Sequence, residues 1–422
     1  MRAAVVALAA LIVLQSCTAP IATTTPSPAA TAVSAEPTPS VTAETPSVTA
    51  ETPRPPLVPT ATPFPCISPQ KVVADISLAN LCVPGADLFV EASIGGADLH
   101  ALFDQVELDL AEVQREFAWT LRGRPTIDVF ATGASYTTGL VQVFGYSGAT
   151  AAFVADNSVS FFEPALRTIL VNWEAVRERR PIAAIRHELT HYVTLEACAP
   201  RCDLVPAWLN EGQARLAEAT IPGGEWRLVR VRYEAASMVA TKTLLPLSAL
   251  VSQIQWNNIT SWGGYYKYQE AARATELLRG DIGGVQPIGQ LYDRIRRGDG
   301  IASAYATLTG RTFDSFVSGL ASRFADAVPA GPAIVMTPGP QADHGLGYLL
   351  YGFGSEQKVT VRLVGKRIEE WEEVTVSPQG AQFSEIADRY PPGTYVLAVT
   401  SGETVIASAK FEKRGGRPLS VD

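Results

Sequence analysis

The chain has 422 residues, 47% of them hydrophobic, with a formal net charge of -8 at pH 7 and a pI near 5.3. That length leaves room for two or three folded units with a sizeable core. The acidic balance and the lack of a basic cluster exclude a nucleic-acid partner, and the short runs RERR (Arg177 to Arg180) and RIRR (Arg294 to Arg297) read as solvated helix faces.

Arg2 and an apolar run from Ala3 to Leu14 open the chain. About a dozen apolar residues are too few to span a bilayer comfortably and fit a signal peptide. The run ends in LQSC, Leu14 to Cys17, which resembles the lipobox of bacterial lipoproteins. The resemblance implies that residues 1–17 are a lipoprotein signal peptide and that Cys17 carries the lipid. The chain would then be exported and anchored to a membrane without spanning it. Four further cysteines remain, Cys66, Cys82, Cys198 and Cys202, an even number that suits disulfides outside the cytoplasm. The nearest pairings join Cys66 to Cys82 and Cys198 to Cys202, with other connectivities open.

Residues 18–65 are almost wholly Thr, Pro, Ala, Ser, Val and Glu, with SVTAETP repeated at Ser40 to Pro46 and Ser47 to Pro53. Such a segment buries too little apolar surface to fold and reads as a disordered tether. Order is expected from Cys66, with a first unit over 66–330. Val106, Leu108, Leu110, Val113 and Phe117 give Asp104 to Trp119 helical periodicity. Pro125 to Gly133 reads as a strand. A Gly- and Tyr-rich connection and a hairpin-like stretch, AAFVADNSVSFF, follow, then a short strand in RTILVNWE. Pro181 opens a helix with Ile182, Ile185, Leu189 and Val193 as its apolar stripe. A second helix is expected from about Pro206 toward Glu218, with Asp203 as a cap.

The first of these two helices carries His187, Glu188 and His191, in a chain with only four histidines. Residues i and i+4 share a helix face, so both imidazoles can reach one cation. Neutral imidazole is a good zinc ligand, and a catalytic zinc takes three protein ligands. Glu188 sits about 100° around the helix from His187, at the edge of such a site, where it suits a base. This is the H-E-x-x-H pattern of zinc peptidases. PAWLNEG then supplies Glu211, twenty residues after His191.

H-E-x-x-H followed by WLNEG resembles the gluzincin peptidases, the thermolysin-like and aminopeptidase N-like families. The resemblance implies one Zn2+ held by His187, His191 and Glu211, with Glu188 as general base and a peptide or protein as substrate. It implies a thermolysin-like zincin domain, a small mixed sheet plus a helical subdomain. It also implies a tyrosine donor for the oxyanion; Tyr268 is favoured, with Tyr266 close behind and Tyr265 nearby. Glu218 is placed to orient a ligand histidine. In these families an edge strand before the zinc helix pairs with extended substrate, the place here of Thr168 to Val171. Aminopeptidase N-like enzymes carry Gly-x-Met-Glu-Asn ahead of that helix. This chain has VNWEAVRERR there, which favours an endopeptidase. Cys198 and Cys202, between the ligand helices, read as a disulfide more readily than as metal ligands.

Further helices are expected over Tyr268 to Leu278, Pro287 to Arg296, Ile301 to Leu308 and Thr312 to Phe324, the last capped by Thr312. From 331 to 422 the texture changes to period-two runs, KVTVRLV, TYVLAVT and TVIASAKF, broken by Gly and Pro. That reads as a small all-β module of the immunoglobulin-like sandwich type, a structural or adhesive accessory. The fold class expected for the whole is α+β. Three readings of function compete: a membrane-anchored extracytoplasmic zinc peptidase, an inactive peptidase-like surface protein that binds peptides or cell-envelope material, and a structural scaffold with zinc as a staple, which would use four protein ligands and no base. The second has no need of Glu188.

Overall fold

Short β-branched and aromatic runs after residue 70 assemble a six-stranded sheet. The computed structural model describes residues 70–413 except 178–181, 222–223, 225, 260, 285–286, 327, 329–330, 339–345, 367 and 387–389. The expected signal peptide and tether, Cys17, Cys66 and Pro181 lie outside the described residues.

The strands are β1 (Lys71–Val73), β2 (Ile76–Asn80), β3 (Asp87–Glu91), β4 (Thr126–Phe130), β5 (Ser160–Glu163) and β6 (Thr168–Asn172). Their order is β1-β2-β3-β4-β6-β5. β4 runs parallel to β3 and β6, and the other pairings are antiparallel. Alternate side chains divide the two faces. Ile127, Val129, Ile169 and Val171 pack on one side with Leu102, Val106 and Leu110 of helix α1 (Gly96–Phe117). Phe130 and Leu170 pack on the other with Tyr136 and Leu140.

Two expectations about this region need correction. The Gly- and Tyr-rich connection is a helix, α2 (Gly133–Phe144), and the first half of the hairpin-like stretch lies in another, α3 (Gly148–Asn157). Caps decide both. Thr132 and Ser135 form a reciprocal capping box, and the Ser147 hydroxyl accepts from the Thr150 amide. Gly145 ends α2 at φ 71°, the left-handed conformation a helix C-cap favours. Second, β6 is paired on both sides and fully buried, so Thr168 to Val171 is not an edge. The edge strand beside it is β5.

After the short α4 (Trp173–Val176) come α5 (Ala183–Cys198), α6 (Ala207–Ala219), α7 (Trp226–Ala240), α8 (Gln253–Asn258), α9 (Ser261–Asp281), α10 (Ile288–Arg296), α11 (Ile301–Thr309) and α12 (Phe313–Ala325). α5 joins two cores. Ile185, Leu189 and Tyr192 enter the sheet core, while Val193, Ala197 and Cys198 enter the helical one. α6 packs between α5 and α9. Asp203 does not cap α6. It lies in a 3-10 turn, its carboxylate paired with Arg201, and α6 has no side-chain cap. Thr312 does cap α12, accepting from the Ser315 amide. Among the described residues no helix is long and apolar enough to cross a membrane.

Seven further strands follow among the described residues: β7 (Ala333–Pro338), β8 (Leu346–Tyr351), β9 (Lys358–Gly365), β10 (Ile368–Thr375), β11 (Ala381–Ile386), β12 (Gly393–Ser401) and β13 (Thr404–Lys413). They form two antiparallel sheets, β11-β8-β7 and β10-β9-β12-β13. Leu346, Tyr348 and Leu350 of β8 share a core with Val361, Leu397 and Val399 of the facing sheet. Leu349 and Tyr351 point the other way and cluster with Tyr233 of α7, so β8 is buried on both faces. The molecule is thus of mixed α+β class.

Candidate metal centre

The site forms where α5 and α6 meet. Their spacing along α5 puts the His187 and His191 rings on one face, centroids 4.8 Å apart. Glu211 on α6 faces them, its Oε2 3.6 Å from Nε2 of His187 and 3.6 Å from Nε2 of His191. Gly212 lets α6 come this close to α9. A Cβ there would stand 2.3 Å from Thr275 Oγ1 and 2.4 Å from the Ala271 carbonyl oxygen. That is the physical reason a glycine follows the glutamate.

Each imidazole is oriented through its far nitrogen. His187 Nδ1 lies 2.8 Å from Glu218 Oε1, and His191 Nδ1 lies 3.0 Å from Asn210 Oδ1. A carboxylate or amide oxygen at Nδ1 places the proton there and leaves the Nε2 lone pair for a metal. Glu218 is held in turn by Arg215, whose Nη1 is 2.5 Å from Oε2, and by Arg227, whose Nε is 3.6 Å away. Burial works against the Glu218 charge, yet Arg215, His187 and Arg227 bring its carboxyl down to about 2. Burial also opposes a charged His187, but hydrogen bonds to Glu211 and Glu218 push the ring up to about 10. Burial likewise opposes the Glu211 carboxylate, and both histidines pull its pKa below the ordinary range. The arrangement draws positive charge to the point where the three donors converge.

The three donors could hold a metal ion. His187, His191 and Glu211 are grouped with their ligand atoms within 4.8 Å of one another. Two donors bound to a tetrahedral zinc at the usual bond lengths stand about 3.4 Å apart, close to the 3.6 Å seen here. Two nitrogens and one carboxylate oxygen are also the chemistry zinc accepts.

Glu188 lies beside this set without belonging to it. The residue is 7% exposed, and its carboxylate accepts a 2.8 Å hydrogen bond from the Ser160 hydroxyl of β5. The three tyrosines of α9 separate. Tyr268 approaches the metal set, its ring 6.4 Å from His187 and edge-on to Trp256. Burial, then the charge of Glu211, raises its phenol. Tyr266 turns away: its hydroxyl bonds Ser377 Oγ and the Ala381 carbonyl, each at 2.9 Å. Tyr265 donates to Glu234 on α7. So α9 offers Tyr268 to the site and withholds Tyr266.

Cys198 and Cys202 form a disulfide between the end of α5 and the turn before α6. Cys82 is disulfide-bonded too, and the pairing expected for it falls on Cys66, outside the described residues. Sequence reasoning missed Asn210 and Ser160. Asn210 carried a weak signal, as the residue before Glu211 in WLNEG. Ser160 carried none, because a strand serine 28 residues upstream has no spacing relation to a helix motif. No family model matches the chain, and no curated protein matches it.

Proposed function

We propose that the chain is an exported zinc metallopeptidase, tethered to a membrane by a lipid on Cys17, that hydrolyses peptide bonds within peptide or protein substrates. The observation that carries the reading is the convergence of His187 Nε2, His191 Nε2 and Glu211 Oε2, with Glu188 alongside as a carboxylate the metal set does not use. A purely structural metal staple would close its coordination with four protein donors. Three donors and a neighbouring carboxylate suit catalysis.

The metal in such a site supplies Lewis-acid polarisation and the acidification of water. The protein's residues do the rest. His187 and His191 donate from Nδ1–H to Glu218 Oε1 and Asn210 Oδ1, so both rings are held in one orientation. Glu188 takes the proton of the attacking water on a carboxylate oxygen and passes it to the leaving amine. Tyr268 donates its phenolic proton in a hydrogen bond to the oxyanion that develops on the carbonyl. The free edge of β5, whose Ser160 touches Glu188, supports alignment of an extended peptide by main-chain hydrogen bonds. VNWEAVRERR ahead of α5 offers no aminopeptidase-type capture segment, which favours cleavage within a chain.

The finer fold assignment belongs to the same proposal. A mixed sheet carrying the first ligand helix, with the second ligand helix at the start of a helical body, supports a zincin-type domain of the gluzincin group. In the module, strands one, two and five form one sheet and four, three, six and seven the other. That supports an immunoglobulin-like sandwich whose fourth strand has moved to the opposite sheet.

Metal analysis and casein hydrolysis on the full-length wild type and Glu188→Gln test the reading together. We expect about one zinc per chain in both proteins. Activity should be present in the wild type and lower by roughly 10²- to 10⁴-fold in the variant. A folded wild type that takes up no zinc would overturn the ligand assignment. A zinc-loaded wild type that cleaves nothing would favour the peptide-binding alternative.

A further inference from the structure

We infer that Ser160 is a positioning residue for Glu188, holding its carboxylate as a free base and off the metal's open coordination position. The inference rests on the metallopeptidase reading. It starts from a placement that the sheet alone does not explain. β5 alternates buried and half-buried positions, and Ser160 and Phe162 share its buried side. An apolar residue would suit that face better, because a buried hydroxyl is costly unless it is bonded. Ser160 is 6% exposed, and its hydroxyl donates to Glu188 Oε1 at 2.8 Å.

The donor is fixed by the fold. Ser160 sits opposite Val171 in the antiparallel β5–β6 pair, and the Asn172 amide bonds the Val159 carbonyl at 2.9 Å just beyond. The Ser158 hydroxyl donates to the Ser160 carbonyl, anchoring the start of the strand. Oγ therefore points at Glu188 from a rigid ladder and not from a loop.

The chemistry explains why such a hold is useful. Glu188 adjoins His187 in sequence, and its side chain has three rotatable bonds. A free carboxylate beside a divalent cation is drawn to it as a ligand. A fourth protein ligand would close the position that a catalytic site keeps open. A hydrogen bond on Oε1 restrains the side chain and leaves Oε2 to accept the proton.

Ser160→Thr and Ser160→Val form a matched pair in the full-length protein: both are β-branched and suit a strand, and only threonine keeps the hydroxyl. We expect both to bind about one zinc. The valine variant should lose roughly 10- to 100-fold in kcat with little change in KM, and the threonine variant should retain most activity. A readout independent of activity is zinc affinity by chelator competition. Ser160→Val should hold zinc several-fold more tightly as the released Glu188 joins the metal, and the added change Glu188→Gln should abolish that gain. Equal kcat and equal zinc affinity for the valine and threonine variants would overturn the inference. If the wild type shows no hydrolysis, the peptidase reading fails by itself. The chelator comparison then still decides whether Ser160 restrains Glu188: a gain in affinity that needs Glu188 supports it, and no gain overturns it.

Discussion

Glu218 sets the charge and the orientation of His187 through its bond to Nδ1. With two arginines on its far side it stays ionised in spite of burial, so its Oε1 is a strong acceptor for the ring's Nδ1 proton. Outer partners of this kind typically change metal affinity 10- to 100-fold when removed. Glu218→Gln keeps the shape and removes the charge. We expect zinc affinity to fall by about that factor in a chelator titration, with the fold intact. An unchanged affinity would show that Arg215 and Arg227 merely solvate a carboxylate the histidine does not need. Gly212 carries a steric argument at the same scale. Its missing Cβ occupies the gap between α6 and the backbone of α9, where Thr275 and Ala271 leave no slack. Gly212→Ala forces the two helices apart and should destabilise the protein by roughly 1–3 kcal/mol in urea unfolding. The same displacement moves Glu211, so zinc affinity should fall alongside stability. A variant as stable as wild type would mean that α9 yields at Thr275 without cost.

At the scale of elements, charge buried between helices matters as much as the apolar stripes. Arg186, next to His187, lies 2.7 Å from Asp109 of α1, and both are essentially inaccessible. Arg186 also donates to Thr220 at the end of α6, whose hydroxyl donates to Glu116 of α1, which accepts from Arg279 of α9. One polar chain thus joins four helices around the site. Glu270 on α9 is a different case. Its carboxyl is buried and accepts from the Leu245 amide, and burial pushes its pKa up to about 8 from 4.5. The folded state therefore holds a proton that the unfolded state releases between about pH 4.5 and 8. Stability from this group is greatest at acid pH and falls as pH rises through that window, by about 1.4 kcal/mol per unit. Glu270→Gln keeps an acceptor for Leu245 and removes the titration. Its gain in urea midpoint over wild type should be larger at pH 8 than at pH 5; an equal gain at both would refute the buried proton.

These elements also explain what could be read in advance. The two helices that carry His187, His191 and Glu211 were legible because i, i+4 spacing and the short connection between them are local properties of the chain. α2 and α3 were not, since the Gly- and Tyr-rich stretch was read as a connection and AAFVADNSVSFF as a hairpin, whereas Thr132 and Ser147 cap helices. In α1, Leu108 was expected inside, but it is only half-buried, and Asp109 takes the inner position through its pairing with Arg186. Periodicity cannot distinguish a buried acid whose partner lies 77 residues away.

At the scale of the whole molecule, the β module is built into the helical body. Phe383 of β11 stacks on Trp226 of α7 at 5.6 Å, and Tyr351 of β8 meets Tyr233 edge-on at 4.5 Å. The Ser237 hydroxyl bridges two loops of the module, donating to the Gly380 carbonyl and accepting from the Gly352 amide. Gly380 has φ 72° and its missing Cβ would overlap Thr241, so this loop is shaped to the helix beneath it. Tyr266 completes the joint from α9, two residues before Tyr268. A loosely tethered accessory domain would have a smaller and more polar interface and would move by default. This interface is aromatic and hydrogen-bonded, so we expect the module and the helical body to unfold in a single calorimetric transition. Tyr266→Phe removes the hydroxyl that Ser377 and Ala381 share, in a buried setting where lost hydrogen bonds cost about 1–3 kcal/mol. Because that tyrosine belongs to the helix that carries Tyr268, the variant should lower the midpoint and also reduce kcat, leaving zinc affinity alone. Two separate transitions in the wild type would make the module an independent body, and the coupling argued from Tyr266 would then have no basis.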